Sequence, residues 1–270
     1  MSARAQYLVA TVSAVALIVL ATGATTIRTP HDLKRGEDYF NSVCAQCHGD
    51  AGQGDGPASA YLKVKPRDFT RAQFKFRSTG SGQLPLDEDL FRTITGGLPN
   101  TAMPPYAEMD PAIIGDIIEY VKTFSPRWQD KAEFPLDTVH VGVPVAMTTE
   151  SVRRGRVAYI KAKCWECHGN QGRGDGPNAT TQLDDKKNKL YTNDLTHLWE
   201  SKVGRTPELV WKVFTTGLNG TTMPSYRDAL TEQERWDLSN YVIALADMRR
   251  PYDAMVISGD DEDDAPAEKK

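Results

Sequence analysis

The stretch CAQCHGDAGQGDGP, from Cys44 to Pro57, returns later in the chain as CWECHGNQGRGDGP, from Cys164 to Pro177. Both copies have a C-x-x-C-H pattern followed by a glycine-rich loop that ends in GDGP. Together they contain all four cysteines of the 270-residue chain. The chain therefore contains an internal repeat, and each copy carries a cysteine pair with an adjacent histidine.

The cysteine pairs are open to several chemical interpretations. In an exported protein they suggest disulfides, and C-x-x-C alone suggests a redox thiol pair or half of a zinc site. The histidine after each pair, His48 and His168, favours another use, because C-x-x-C-H is the attachment site of c-type haem. The thiols form thioethers with the haem and the histidine ligates its iron. We predict two haem c groups, attached through Cys44, Cys47, Cys164 and Cys167.

The repeat also points to a sixth iron ligand. An offset of 120 residues, from Cys44 to Cys164, aligns GGLPNTAMPPY with TGLNGTTMPSY and places Met103 on Met223. Of the seven methionines, only these two have matching Met-Pro contexts. A thioether is a soft ligand that raises the reduction potential of haem iron, although a methionine can also simply fill a core. We expect Met103 and Met223 to complete the two iron sites.

These features resemble class I cytochrome c, present twice. The shared elements are C-x-x-C-H, a downstream Met-Pro loop and a closing amphipathic helix. The resemblance covers about residues 29–127 and 148–250, with a linker strap at 128–147 and an acidic tail at 251–270. It implies an all-α fold, in which each domain places a few helices around a covalently attached haem c.

Sequence periodicity supports this fold. DPAIIGDIIEYVKTF and TEQERWDLSNYVIALA have an apolar side and predict the closing helices, with Asp110 and Thr231 as N-caps. LDEDLFRTITGG and TPELVWKVFTTG predict a further helix before each methionine loop. In class I cytochromes the first and last helices cross where a small residue meets an aromatic ring. The positions that resemble this are Gly36 with Tyr120, and Gly155 with Tyr241.

The glycine-rich loops lack the G-K-[ST] ending of phosphate-binding loops, so we interpret them as backbone that wraps the haem edge. The family resemblance implies that the carbonyls of Pro57 and Pro177 accept the Nδ1 proton of the iron-ligating histidines and thereby fix the imidazoles. Arg67 and Arg77 are candidates for contacts with haem propionates, with plain solvated charges as the alternative.

The N-terminus predicts export. Residues 7–27 carry no charge, which is about enough for a helix to cross a bilayer. Either an uncleaved anchor or a cleaved signal peptide fits residues 1–28, and we expect the anchor because the run is long for a signal. Both place the rest of the chain on the periplasmic side of the membrane. The net charge of −4 comes with no basic stripe, which excludes nucleic-acid binding.

Two classes of function follow from two haems. With histidine and methionine at each iron, we expect single-electron transfer between respiratory redox partners, as a carrier for or a subunit of a membrane-bound oxidoreductase complex, without a substrate site of its own. The alternative is a di-haem enzyme. A cytochrome c peroxidase would need an open iron, and a thiosulfate dehydrogenase would need a cysteine ligand, whereas all four cysteines are already assigned.

Overall fold

The computed structural model describes residues 31–246. Over this range the fold is mostly helical and contains no sheet, since strand-like pairing occurs only at two isolated bridges, Thr79 with Thr138 and Leu183 with Lys189. The all-helical prediction is confirmed for these residues. No helix among them combines the length and apolar character needed to span a membrane. The segment 1–28 and the acidic tail, 251–270, lie outside the described residues.

Within residues 31–246, eight α-helices form two similar sets of four. The first set is α1 (Leu33–Tyr39), α2 (Ala45–His48), α3 (Asp87–Gly96) and α4 (Pro111–Lys122). The second set is α5 (Thr149–Lys161), α6 (Trp165–His168), α7 (Pro207–Thr216) and α8 (Glu232–Ala246). A π-helical turn, Phe40–Cys44, joins α1 to α2. Short 3₁₀ turns occupy Pro57–Tyr61, Pro126–Gln129, Lys131–Glu133 and Leu198–Glu200.

The closing helices begin at the predicted caps. The Asp110 carboxylate accepts a hydrogen bond from the backbone N–H of Ala112, and Pro111 is the first residue of α4. At α8, Thr231 Oγ1 accepts from the backbone N–H of Glu234 at 3.2 Å, and the Glu234 carboxylate accepts from the backbone N–H of Thr231 at 2.8 Å. Such a reciprocal pair satisfies two N–H groups that a helix start leaves unpaired.

The first and last helices of each set cross at a buried glycine. A Cβ atom on Gly36 would lie 2.2 Å from the carbonyl oxygen of Asp116, and one on Gly155 would lie 2.0 Å from that of Asp237. Any side chain at either position would therefore push the two helices apart. Gly155 also approaches Cβ of Tyr241, as the resemblance implies.

At Gly36 the nearest atoms of α4 belong to the backbone of Asp116 and Ile117, one turn before Tyr120. The ring of Phe40 packs on Tyr120, with the ring centroids 5.3 Å apart. The aromatic contact at this crossing is therefore between two rings, with the glycine alongside them.

A buried carboxylate stabilises each crossing, and the sequence analysis did not identify it. Asp116 and Asp237 are each only 1% exposed. Asp237 accepts from Nε and Nη2 of Arg154 at 2.8 and 2.9 Å and from Oγ of Ser151 at 2.6 Å. Asp116 pairs with Nε of Arg35 and accepts from the backbone N–H of Asp32 at 2.9 Å. The available signal was an Arg-Gly pair in the first helix and an Asp-x-x-x-Tyr pattern in the last.

The segment 128–147 packs against residues of both sets. The backbone N–H of Val139 donates to the carbonyl of Ser78 at 2.8 Å, and the side chain of Val139 is buried with Trp211 and Trp236. These two indole rings stack with centroids 5.3 Å apart. The strap thus joins a loop of the first set to α7 and α8 of the second.

Replacing the buried carboxylate of α8 should weaken the fold. Asp237→Asn removes the charge that pairs with Arg154 and leaves buried donors poorly matched, so we expect the free energy of unfolding to fall by about 2 kcal/mol at neutral pH. Chemical denaturation of the haem-loaded protein measures the change. Asp228→Asn, at an exposed carboxylate, is the matched control and should leave the midpoint unchanged.

The same substitution should matter less in acid. Burial opposes ionisation of Asp237, but hydrogen bonds from Arg154, Ser151 and Gln233 outweigh it and hold its pKa below the usual value. A lowered pKa contributes stability above the unfolded-state pKa, and this contribution is lost as pH falls through the folded-state pKa. The difference between Asp237→Asn and wild type should therefore shrink as the pH is lowered through the acidic range. An equal difference at all pH values would contradict this role.

Candidate functional site

Each C-x-x-C-H motif occupies a single helical turn. Helix α2 starts directly after Cys44 and ends at His48, and α6 starts directly after Cys164 and ends at His168. One turn of helix brings residues three and four apart onto the same face. The two thiols and the imidazole of each motif therefore point toward one region.

The first cavity collects the predicted residues of the first half. Its wall includes both cysteines of the motif, His48 and Met103. The rest of the wall is mainly apolar and comes from α3, α4, the loop between them and the segment before α3, with Phe69, Leu98 and Ile117 among its members. This combination of thiols, an imidazole, a thioether and apolar surface suits a flat hydrophobic cofactor with iron at its centre.

The second cavity gathers the equivalent residues, in a wall that also holds many polar and charged side chains. Its wall includes both cysteines of the second motif, His168 and Met223, with apolar side chains such as Leu198, Phe214 and Val242. The structure thus brings each predicted set of four residues around one cavity, and the assignment of Met103 and Met223 as ligands stays a prediction. Cys44, Cys47, Cys164 and Cys167 are all free of disulfides.

Both histidines have their Nδ1 atoms held by the backbone. Nδ1 of His48 lies 3.0 Å from the carbonyl oxygen of Arg67, and Nδ1 of His168 lies 3.0 Å from that of Asn193. A carbonyl can only accept, so Nδ1 carries the proton and Nε2 keeps its lone pair for a metal. Such a hydrogen bond also fixes the orientation of the ring.

These acceptors correct the expected ones, the carbonyls of Pro57 and Pro177. In each GDGP sequence the last glycine lies against the backbone of the C-x-x-C-H turn: a Cβ on Gly56 would lie 2.3 Å from the carbonyl oxygen of Ala45. The two prolines follow that contact and are exposed. The chain reaches the histidine only further on, at Arg67 and its counterpart.

The carbonyls that accept from the two histidines belong to the segments PRDFT, 66–70, and TNDLT, 192–196. The sequences of these two segments correspond only loosely. In both segments the aspartate, Asp68 or Asp194, accepts from the N–H and Oγ1 of the threonine two residues on. Both are also tied to the glycine-rich loop, through Phe69 N–H to Gly52 O at 2.7 Å and the equivalent bond of Leu195 at 2.6 Å. Arg67 and Asn193 are therefore structural equivalents. Their contact with the histidine uses only the backbone carbonyl, so this contact leaves the side chains free to differ.

Burial sets the protonation of the motif residues. It lowers the pKa of His48 and His168, against the raising effect of the Nδ1 hydrogen bonds, and so favours the neutral ring that binds a metal. It raises the pKa of Cys44 to about 11 and of Cys164 to about 12. A redox-active cysteine depends on the thiolate, which these surroundings disfavour at Cys44 and Cys164. Haem attachment therefore fits the two sites better than a redox thiol pair.

The methionine loops have the same hydrogen bonds in both halves. The carbonyl of Met103 accepts from the N–H of Leu98 at 3.0 Å, and that of Met223 accepts from the N–H of Leu218 at 3.1 Å. A threonine two residues earlier accepts from the methionine N–H at 3.1 Å in each loop. The sulfur atoms are therefore presented from two equivalent, well-braced turns.

The two arginines expected at the haem propionates have different positions. Arg67 lines both cavities, so it remains a candidate for such a contact. Arg77 lines neither and is 2% exposed, because its guanidinium donates to backbone carbonyls, including that of Thr216 at 2.5 Å. With its donors used in this way, Arg77 does not have the expected role. Two lysines, Lys75 and Lys202, also line both cavities, and no motif in the sequence indicated their position there.

Comparison with known proteins agrees with this geometry. Residues 31–121 match the family described as cytochrome C oxidase, cbb3-type, subunit III, and residues 152–246 match the family cytochrome c. A chain of the Kuenenia stuttgartiensis reducing HAO-like protein complex is 40% identical, with a TM-score of 0.75 over 78% of this chain and 96% of that chain. No match was found among curated proteins.

Fold, motifs and comparisons define a c-type cytochrome. The chain belongs to this family and contains two cytochrome c domains in tandem. Such domains imply haem c cofactors and electron transfer, and they are typical of extracytoplasmic proteins. Below, the two matched regions are called domain one, 31–121, and domain two, 152–246.

Exchanging either methionine for histidine should lower one of two midpoint potentials. Nitrogen stabilises ferrous haem less than a thioether does, and axial ligands set haem potentials over roughly 0.8 V, so we expect a shift on the order of 0.1 V. Potentiometric titration of Met103→His and of Met223→His measures it. Met147→Leu is the control, since Met147 lines neither cavity. Unchanged potentials in either histidine variant would reject that ligand.

Proposed function

We propose that this protein is a di-haem electron-transfer protein that passes single electrons between redox partners at the outer face of a membrane. The observation that carries the proposal is that each cavity gathers a histidine, a methionine and two cysteines from its own domain. When bound, each haem supplies an iron that cycles between the ferric and ferrous states. The protein would supply a histidine and a methionine to each iron, which would leave neither iron a position for substrate.

The binding residues follow from the two cavities. In domain one, Cys44 and Cys47 would hold the haem covalently, while His48 and Met103 would ligate its iron. In domain two, these roles would fall to Cys164, Cys167, His168 and Met223. Each imidazole is oriented by its Nδ1 hydrogen bond. Ligands that stay bound in both oxidation states need little rearrangement when an electron arrives.

The two haems are proposed to exchange electrons directly. The cavities share part of their walls, since Arg67, Lys75, Phe76 and Lys202 line both. Burial lowers the pKa of Lys75 to about 8, which leaves the amine mostly protonated at neutral pH. Positive charge in this shared wall would stabilise the ferrous over the ferric form of both haems. The shared wall itself offers an electron accepted by one domain a route to the other.

Partners and location extend the same proposal. The structural neighbour is a chain of a protein complex, which supports a role beside other redox proteins. We propose a membrane-bound oxidoreductase as the partner and an N-terminal segment, residues 1–28, that anchors the chain at the periplasmic side. Co-purification from solubilised membranes identifies the partner. N-terminal sequencing of the same sample distinguishes an uncleaved anchor from a cleaved signal peptide.

The spin state of the haems tests electron transfer against the enzyme alternative. A carrier with two His-Met irons should be low-spin and six-coordinate in both haems as isolated, in ferric and ferrous forms. Electron paramagnetic resonance and visible spectra of the purified protein measure this. Carbon monoxide should not bind stoichiometrically to the reduced protein. A high-spin ferric population, or one equivalent of bound carbon monoxide, would instead support a di-haem peroxidase, which needs an open iron.

A further inference from the structure

Arg77 of domain one reaches into domain two. Its guanidinium donates to the carbonyls of Phe74 and Gly80 in its own domain, and to those of Thr216 and Gly217 at 2.5 and 3.3 Å in the other. The side chain is almost fully buried. A buried arginine whose donors all point at backbone carbonyls is a fixed link between the two domains.

The carbonyls in domain two lie at the C-terminal end of α7. The last carbonyls of a helix have no partner within the helix. In α7, the methionine loop returns to satisfy two of them, through Tyr226 N–H to Phe214 O and Ser225 Oγ to Thr215 O, both at 2.7 Å. The next two carbonyls are the ones that Arg77 binds. Burial lowers the pKa of Arg77 to about 10, so it remains a cation at neutral pH, which is favourable at this end of a helix.

This helix end determines where Met223 lies. Gly217 has a φ of 68°, and a Cβ atom there would lie 2.7 Å from the backbone of Pro224. The loop from 218 to 226 is therefore packed tightly onto the turn that Arg77 holds. A displacement of Gly217 would be transmitted directly to Met223, because the carbonyl of Met223 accepts a hydrogen bond from the N–H of Leu218, the residue after Gly217.

Domain one has no equivalent of this link. Its methionine loop is also bonded to its helix, through Tyr106 N–H to Ile94 O at 3.1 Å. However, among residues 31–246 no side chain donates to the carbonyls of Gly96 or Gly97, which correspond to Thr216 and Gly217. The loop that carries Met103 is thus held by its own domain alone.

We propose that Arg77 is a positioning residue for Met223, so that the docking of domain one controls how firmly the second haem keeps its sixth ligand. The inference rests on the proposed ligation by Met223. It predicts an effect on the second haem from a substitution made in the first domain.

Competition by imidazole for the sixth position of ferric haem tests the proposal in the full-length, haem-loaded protein. In Arg77→Gln, one haem should bind imidazole about tenfold more tightly, because two charge-assisted hydrogen bonds behind its methionine loop are lost. The methyl resonance of the iron-bound methionine in the reduced protein identifies that haem. The resonance that shifts should be the one that Met223→His removes.

Two further variants complete the test. Arg92→Gln removes an exposed arginine of domain one that pairs with Asp89, and it should change neither haem. Arg77→Lys keeps the charge but cannot bind two carbonyls in the same way, so it should give a smaller increase at the same haem. If Arg77→Gln does not accumulate as folded protein, Arg77→Lys decides the question.

The possible outcomes distinguish a failure of this inference from a failure of the proposed ligation by Met223, on which it rests. If Met223→His leaves both potentials unchanged, the proposed ligation fails. If Met223→His shifts one potential but neither Arg77 variant changes imidazole binding, only the role of Arg77 fails. An equal change at both haems, or a change confined to the haem ligated by Met103, would also overturn it.

Discussion

Both domains depend on one constraint: the backbones of their first and last helices are in direct contact where the two helices cross. Gly36 and Gly155 allow it, and each crossing is then closed by a buried aspartate that pairs with the arginine beside the glycine. The C-x-x-C-H turn follows the first helix directly, and the last helix forms a wall of the cavity. Moving the crossing would therefore move the proposed iron ligands relative to the apolar surface that faces them.

Local chemistry made much of this fold predictable. Helix periodicity, the caps at Asp110 and Thr231, and the tandem motifs depend on residues that are near one another in sequence, and the structure agrees with all of them. The placement of Met103 and Met223 at the cavities could be anticipated because both loops were copied without insertion. An alignment of the two halves at a constant offset identifies equivalent residues only where the spacing between them has been kept.

The remaining features depend on backbone atoms or on contacts between domains. The acceptors for His48 and His168 are main-chain carbonyls, and six additional residues precede the second one, so neither residue type nor offset revealed them. From the sequence, Arg77 was a candidate for a contact with a haem propionate. Its actual partners are carbonyls of the other domain, which no pattern within domain one could indicate.

Use of the main chain as the acceptor has a consequence for the duplicated protein. A carbonyl group is supplied by every residue, so the side chain at that position was free to change after the two copies separated. One copy has arginine there, in the wall common to both cavities, and the other has asparagine. The hydrogen bond that orients each histidine is therefore one that no side-chain substitution at position 67 or 193 can remove.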